Sequence, residues 1–487
     1  MSTPLGFADF APDLDRFRAA HIARNVLPGV DGYLPMPSPV VYSSSALNSK
    51  YLGGTIVRSQ SGVAYNFLGT KTKLYRLLGA GLTDATRLSG GDYNASTWRF
   101  VLWQNQVIAT SLLDDVQVIT LGGANFTALS GSPPRAKYAA ILSDDFVMLG
   151  NLIDSGTDYH SRVHWSAYRD ITNWTPDTET QSDFRDLEAS AGAVQGLVGG
   201  ESGICFQERR ISSISLIGVP HIFRFDKITE EIGAICPNAI ATKGHDTYFI
   251  GQEGFAVILG GAQYQRIGHG RVDRTFFSDI KPNHYDNVVV GVQQKTGRIW
   301  WAYPGSGSSM GVPNKQLIFD PSLNKWTQAD LIIEGFQYAA EPTVTSDELD
   351  STYATSDAAN LLVDADVFAG GLEEFATFGP DHRMRLHTGP SLEAYVQTQE
   401  IELNKGRRTI ITSALPIGDA IGSMTLDVGY RSNRNEPQAK VIGLSKNRYN
   451  EYDILLDARY HQLTATLSGD WKLAVGIDVE TKPSSFK

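Results

Sequence analysis

The chain has 487 residues, 42% of them apolar, and a formal net charge of −11; it exceeds a usual single domain of roughly 100–200 residues and can build a full core without disulfide support. That charge argues against a general nucleic-acid binder, whose affinity comes mainly from cationic neutralisation of phosphates, though it leaves room for nucleic acid to pass nearby without sticking. No apolar run approaches the ~18 residues of a membrane helix, and Met1–Phe10 lacks a positive segment ahead of an apolar core, so neither a membrane span nor a signal peptide is expected.

Forty-seven glycines and 21 prolines supply the turns that an all-β chain of short strands requires. Cys205 and Cys236 lie 31 positions apart in apolar, strand-like contexts and read as buried free thiols of a chain folded in reducing cytoplasm.

Residues 1–50 read as an N-terminal docking arm. Pro12 to Arg24 can form one short helical stretch. The segment Asn25 to Pro39 is too proline-dense for a helix or a central strand, so it should run extended over a surface, docked by Val26, Leu27, Tyr33, Leu34 and Met36. Removal of residues 1–39 is expected to impair assembly more than folding of the protomer.

From 51 to 330 pairs of strands recur around polar turns. Gly196-Leu-Val198 precedes Gly203-Ile-Cys-Phe206; Asp246 to Ile250 precedes Gly254 to Ile258; Arg298 to Trp301 precedes Gln316 to Phe319. Six units follow, near 51–92, 93–134, 135–190, 191–230, 231–284 and 285–330. Thr86-Arg-Leu-Ser-Gly90 and Thr127-Ala-Leu-Ser-Gly131, 41 positions apart, are the clearest internal repeat. The last unit ends on Phe319-Asp-Pro-Ser-Leu-Asn-Lys-Trp326, the form that outer strands of a β-propeller often take. A period near 40–50 residues predicts an all-β protein built on a β-propeller of six irregular blades.

Residues 331–391 are rich in Ser, Thr, Asp, Ala and Gly, with the acidic runs Ser346 to Asp350 and Leu372 to Phe375, and read as a loop-rich bridge. From 392 to 487 alternation resumes at Ala394–Thr398, Met424–Val428, Tyr452–Leu456 and Trp471–Val475. It predicts a C-terminal β domain of sandwich-like form.

Candidate chemistry is sparse. His160 and His164, four apart on a strand, would share a face, but a metal site needs further ligands that the neighbourhood does not supply. The acid pairs Asp144–Asp145, Glu230–Glu231 and Glu373–Glu374 are sequence neighbours that a strand would point to opposite faces, a poor arrangement for two carboxylates across a glycoside. Gly305-Ser-Gly-Ser-Ser-Met-Gly311 opens no helix and lacks the Lys-Ser/Thr of a phosphate loop, and reads as a flexible loop. Glu208-Arg-Arg210, Lys405-Gly-Arg-Arg408 and Arg431-Ser-Asn-Arg434 read as solvated turns or inter-subunit ion pairs; isolated arginines can touch a DNA backbone without reading sequence. The reading assigns no catalytic, cofactor-binding or metal residues, and no enzyme. The alternatives are a propeller glycosidase or lyase, or a sugar-binding module, acting on host polysaccharide.

An ordered series of weak motifs runs over most of the chain. It begins with Asn25-Val-Leu-Pro28 and Gly32-Tyr-Leu-Pro-Met-Pro37. It passes through Gly69-Thr70 with Leu74-Tyr75, Val163-His-Trp-Ser166 with Trp174, and Gly199-Gly-Glu201 before Phe206-Gln-Glu208. Ile211, Phe223-Arg-Phe-Asp226, Gly251, Gly254-Phe255 and Ile267-Gly268 follow. Ala458-Arg-Tyr460, Gly469-Asp-Trp471 and Gly476-Ile-Asp478 complete the order. In this series the chain resembles the tail hub or nozzle proteins of short-tailed bacteriophages, also called packaged-DNA stabilisation proteins.

The resemblance implies a structural virion protein: a propeller protomer in a six-fold homo-oligomeric ring, located in the virion tail below portal and adaptor. Such a ring extends the DNA channel, helps retain packaged double-stranded DNA without sequence-specific binding, and offers fibres, spikes or a needle a surface for attachment. It implies no catalytic residues. The chain departs from the family in length details and shows no strongly basic adaptor-facing segment. Six copies carry six times the formal charge of −11, and an acidic conduit lets duplex phosphates slide.

Overall fold

The computed structural model describes residues 2–14, 22–60, 62–340, 373–419 and 423–484. These residues are strands and turns apart from one helix, Asp273–Asp279, and two short 3-10 turns. The helical stretch expected over 12–24 falls mostly outside the described residues; its last two, Ala23–Arg24, are a strand.

Seven four-stranded antiparallel units, six of them separate sheets and one the first four strands of a nine-stranded sheet, make up the larger part of the fold. Six are continuous in sequence, spanning 53–84, 99–128, 135–186, 194–230, 241–266 and 289–329. The strand pairs anticipated from the pattern are hydrogen-bonded partners: Leu197 faces Cys205, Ile250 faces Phe255, and Trp300 faces Ile318. The repeat 41 positions apart is not equivalent in space, since Leu88 is exposed while Leu129 is buried.

The seventh sheet was not expected. Its strands are Gly335–Ala340, Glu373–Phe378, Met384–Ser391 and, at the outer edge, Pro37–Val41. The stretch 331–391 therefore carries three strands where a loop-rich bridge was read, and the N-terminal segment supplies the fourth. Val41 pairs with Arg385 and Val40 with Leu386. Pro37 and Pro39 fit because an edge strand does not need their missing N–H groups.

The first strands of successive sheets pack side by side from the first sheet to the fourth and from the fifth to the seventh, and the seventh packs back on the first. Glycines at the junctions permit this closeness. A Cβ on Gly69 would lie 2.3 Å from the Trp98 ring, on Gly196 2.5 Å from Ile240, on Gly291 2.6 Å from Phe336, and on Gly335 2.7 Å from Tyr51. Each contact joins one sheet to the next. Because most sheets are covered on both faces, their second strands are buried along most of their length rather than alternating. Phe146 to Leu152 and Arg298 to Tyr303 are buried without a break, as expected of strands covered on both faces.

The remaining strands form two further sheet regions. One contains Val26–Gly29, Gly32–Pro35, Leu473–Pro483, Thr409–Asp419 and Tyr452–Ala458, with Ser2–Gly6 on Leu473–Pro483. The other continues the sixth sheet: its outer strand Lys325–Ala329 pairs with Ala23–Arg24, then Ala394–Gln397, Tyr460–Ser468, Ser423–Arg431 and Ala439–Leu444. Side chains of both regions share one core, in which Tyr452 Oη donates to the Met424 carbonyl at 2.7 Å.

The N-terminal segment is thus woven into the fold. Val26, Leu27, Tyr33 and Met36 are buried, and Leu34 packs beside Leu27 and Met36. The buried Arg298–Asp320 ion pair (3.0 Å) fixes the hairpin, because Arg298 Nη2 also donates to the Pro28 carbonyl. Asp13 accepts backbone N–H bonds from Arg274 and Thr275 at the start of the helix.

Candidate functional site

Two cavities lie against the first strands of the sheets. One, of about 280 Å³, is walled by 50–54, 96–100, Asn238, Asp286, Asn287, 289–291 and 334–338; the other, of about 500 Å³, by 99–102, 138–141, Asp144, 196–200, Pro237, Ile240 and Thr242. Arg99 and Phe100 belong to both.

Arg99 opens the strand Arg99–Trp103 of the second sheet. Its Nη2 reaches to the approach of the fifth sheet, donating to the Pro237 carbonyl (3.1 Å) and Asn238 Oδ1 (2.8 Å). Asn238 is itself held by donation to the Asp286 carbonyl. Burial pulls the Arg99 pKa down. On the neighbouring strand Arg135–Leu142, Lys137 is also lowered, first by burial; Asp286 raises it and Arg99 lowers it further. Tyr138, beside it, is buried, with a hydroxyl that has no hydrogen-bond partner among the described residues. Burial raises its pKa, against the influence of Arg99.

The buried carboxylate on the cavity wall is occupied structurally. Glu334 accepts from Tyr51 N (2.9 Å) and faces His382 Nδ1 (2.7 Å). Tyr51 Oη is satisfied by the Phe336 carbonyl. The walls bring both signs of charge together, Lys50 and Arg99 beside Asp286, Glu334 and Asp144.

The sequence candidates lie elsewhere. His164 is buried, its Nε2 2.9 Å from the Trp174 carbonyl, and burial lowers its pKa; His160 is exposed and meets Asn151. Among the described residues no group of three or more His, Cys, Asp or Glu could hold a metal ion. Asp145 pairs with Arg169, Glu230 with Lys227, Glu373 with Arg58 and Glu374 with Lys295. Asp144 lines the larger of the two cavities.

The Gly305–Gly311 loop, expected to be flexible, is tied down: Ser306 N donates to Asp279 Oδ1 and Gly305 N to Asn314 Oδ1. A carboxylate already fills the place of an anion there. The arginine clusters form contacts within the chain, Arg210 with Glu188, Arg408 with Asp457, and Arg431 with the buried Glu400. Both cysteines are free and buried, and burial pushes the Cys205 thiol up to about 12.

The sequence reading missed Arg99, Lys137 and Tyr138. A signal was present for the two charges: each adjoins an apolar run, Arg99-Phe-Val-Leu-Trp103 and Ala136-Lys-Tyr-Ala-Ala140.

No family model matches the chain, and no curated protein matches it. Among solved structures it is similar to the extracellular domain of a protein described as a one component system, BT4673 from B. thetaiotaomicron, with 7% identity and a TM-score of 0.42, over 86% of this chain and 47% of that one. The chain thus spans under half of that structure's length. It is also similar to the computationally designed Ika8 protein, with 12% identity and a TM-score of 0.36, over 72% of this chain and 99% of that one. Likenesses this distant carry no argument about function.

Proposed function

We propose that this chain is a seven-bladed β-propeller bearing a β-sandwich, and that it serves as a structural subunit of the tail nozzle or hub of a short-tailed bacteriophage. In this reading copies assemble into a ring, six-fold as in the family it resembles, below portal and adaptor. The ring extends the channel, retains packaged DNA and presents surfaces for fibres, spikes or a needle.

The observation that supports the reading is where the residues of the resemblance lie: they are packing and closure elements. The segment 25–37 forms the hairpin beside the sixth sheet and begins the outer strand of the seventh. Gly69 lies against Trp98, Gly199 against the Ile141 carbonyl, and Gly476 against the Leu5 carbonyl. Val163, Trp165, Trp174, Phe206, Phe255 and Trp471 are buried. Motifs spent on architecture suit a scaffold protein. Functions shared by a fold are otherwise decided at its sites.

The test is co-migration of the purified chain with an isolated portal–adaptor complex on size exclusion. A stable joint peak is expected. A monomer that never joins the complex, or release of reducing sugar from host capsule, would overturn the reading.

A further inference from the structure

The charge of the chain is unevenly placed. Residues 170–188 hold six acids, Asp170, Asp177, Glu179, Asp183, Asp186 and Glu188, against one cation, Arg185. The stretch contains the outer strand of the third sheet and the connection that leads into it. Asp186 pairs with Arg162 and Glu188 with Arg210. Asp170, Asp177 and Glu179 are exposed and, like Asp183, have no cation within ion-pair distance among the described residues. Two exposed rings, Tyr168 and Phe184, adjoin these acids in the chain.

The opposite sign gathers at one end of the sandwich, from three connections far apart in sequence. Arg408 bonds Asp457 at 3.2 Å and Ser432 Oγ at 2.9 Å, and Arg459 bonds Glu402, whose carboxylate also accepts from Gly406 N. Arg431, Arg434 and Arg459 place their guanidinium carbons 6.0, 5.2 and 5.3 Å from the centre of the Tyr460 ring. Segments 400–408, 431–436 and 457–459 therefore meet, bringing six cations against four acids. The acids are engaged: Glu400 is buried and paired with Arg431, Glu402 and Asp457 are paired with Arg459 and Arg408, and Glu436 accepts from Asn433. Lys405 and Arg407 are exposed, and their side chains have no partner among the described residues. The exposed Ile442 and Leu455 lie on the two strands that adjoin this end, Ala439–Leu444 and Tyr452–Ala458.

The two surfaces do not answer each other within a protomer. The sandwich continues the sixth sheet; in the order of packing, the fourth and fifth sheets separate it from the third one way round, and the seventh, first and second the other way. No ion pair among the described residues joins them. We infer that the basic end of the sandwich docks on the acidic outer edge of the third sheet of a second copy, head to tail. A contact between two different patches repeats from copy to copy and closes into a ring where the rotation allows, so the inference rests on the ring assembly of the proposed function. Its make-up is that of an interface: Ile442 and Leu455 supply an apolar centre, Tyr168 and Phe184 the aromatic counterpart, and Lys405 and Arg407 a charged rim. Copies of a chain that carries −11 repel one another on average, and this orientation is one in which opposite signs meet, which steers the encounter and selects the patches. A local excess of two cations beside apolar side chains suits an acidic protein surface better than duplex phosphates, whose binding draws on many cations.

Sedimentation velocity of the full chain tests this, in low salt and in about 0.5 M sodium chloride, where exposed charges are largely screened. Self-association is expected in low salt and should weaken in high salt. Lys405→Glu with Arg407→Glu, and separately Asp177→Lys with Glu179→Lys, should each weaken it at least about tenfold; all four positions are exposed, so the thermal transition should not move. Mixing the two variants is decisive, because each presents the charge that the other now lacks: association should return to near that of the parent. Rings that neither pair of reversals weakens, or a loss that mixing does not restore, would overturn this contact and leave the ring assembly standing. A parent chain that stays a single protomer at every concentration would overturn both. Saturable binding of a short DNA duplex that Lys405→Glu with Arg407→Glu abolishes, without self-association of the parent, would assign the basic end to nucleic acid and overturn the proposal.

Discussion

At the scale of single residues, the clearest consequences concern protons. His461 is fully buried, neither ring nitrogen has a hydrogen-bond partner among the described residues, and burial lowers its pKa to about 4. His387, enclosed by Trp300 and Phe375, is lowered to about 4 by burial as well. Unfolded, both titrate near 6.5. Between pH 6.5 and 4 the unfolded chain therefore binds more protons, so stability falls as pH falls, by up to about 3 kcal/mol per group. His461→Phe, which keeps the ring volume, should flatten that acid limb in urea titrations from pH 7 to 4. Asp273 acts with the opposite sign. Burial raises its carboxyl to about 6, one oxygen accepting from Phe255 N. Its native state keeps a proton between pH 4 and 6 that the unfolded state releases, so its contribution falls as pH rises. Asp273→Asn should stabilise the fold at pH 8 by about 1–2 kcal/mol and have little effect at pH 4.

Residues such as His164 and the glycine-rich loop were legible as unpromising chemistry, because each lacked the companions its chemistry needs. Arg99, Lys137 and Tyr138 were not legible as a group. Arg99 lines both cavities only because the first strands of neighbouring sheets pack side by side, a juxtaposition that no spacing in the sequence encodes.

At the scale of elements, local hairpins were readable and long-range closure was not. The six continuous sheets each alternate apolar runs with turns, so their strands announce themselves. The seventh takes its outer strand from Pro37–Val41 and has residues 341–372 between its first two strands, so no repeat period reveals it. The proline content that ruled out a central strand was compatible with this edge. The expectation that 1–39 matters more to assembly than to folding does not fit the observed pairing. Deleting residues 2–41 should abolish the cooperative thermal transition followed by circular dichroism. Met36→Ala, at a fully buried position, should cost about 2–4 kcal/mol; a loss below about 0.5 kcal/mol would show that the segment is not held as described.

At the scale of the whole molecule, the outward-facing edges differ in kind. The last strand of the third sheet, Asp183–Asp186, is short and charged, and that of the fourth, Ile222–Glu230, carries Arg224, Asp226, Lys227 and Glu230, features that discourage edge pairing. The strands Ala439–Leu444 and Tyr452–Ala458 instead expose Ile442 at 72% and Leu455 at 83%. Under the proposed assembly these edges are the better material for contacts between copies, and Ile442→Glu with Leu455→Glu should weaken the ring while leaving the protomer's unfolding transition within about 0.5 kcal/mol of the parent.

The most direct measurement is electron microscopy of the purified full chain, alone and mixed with a portal–adaptor complex. The proposal predicts closed rings of this chain, six-fold in projection, seated coaxially on the adaptor. Particles that remain single protomers in both samples, with adaptor complexes left bare, would contradict it.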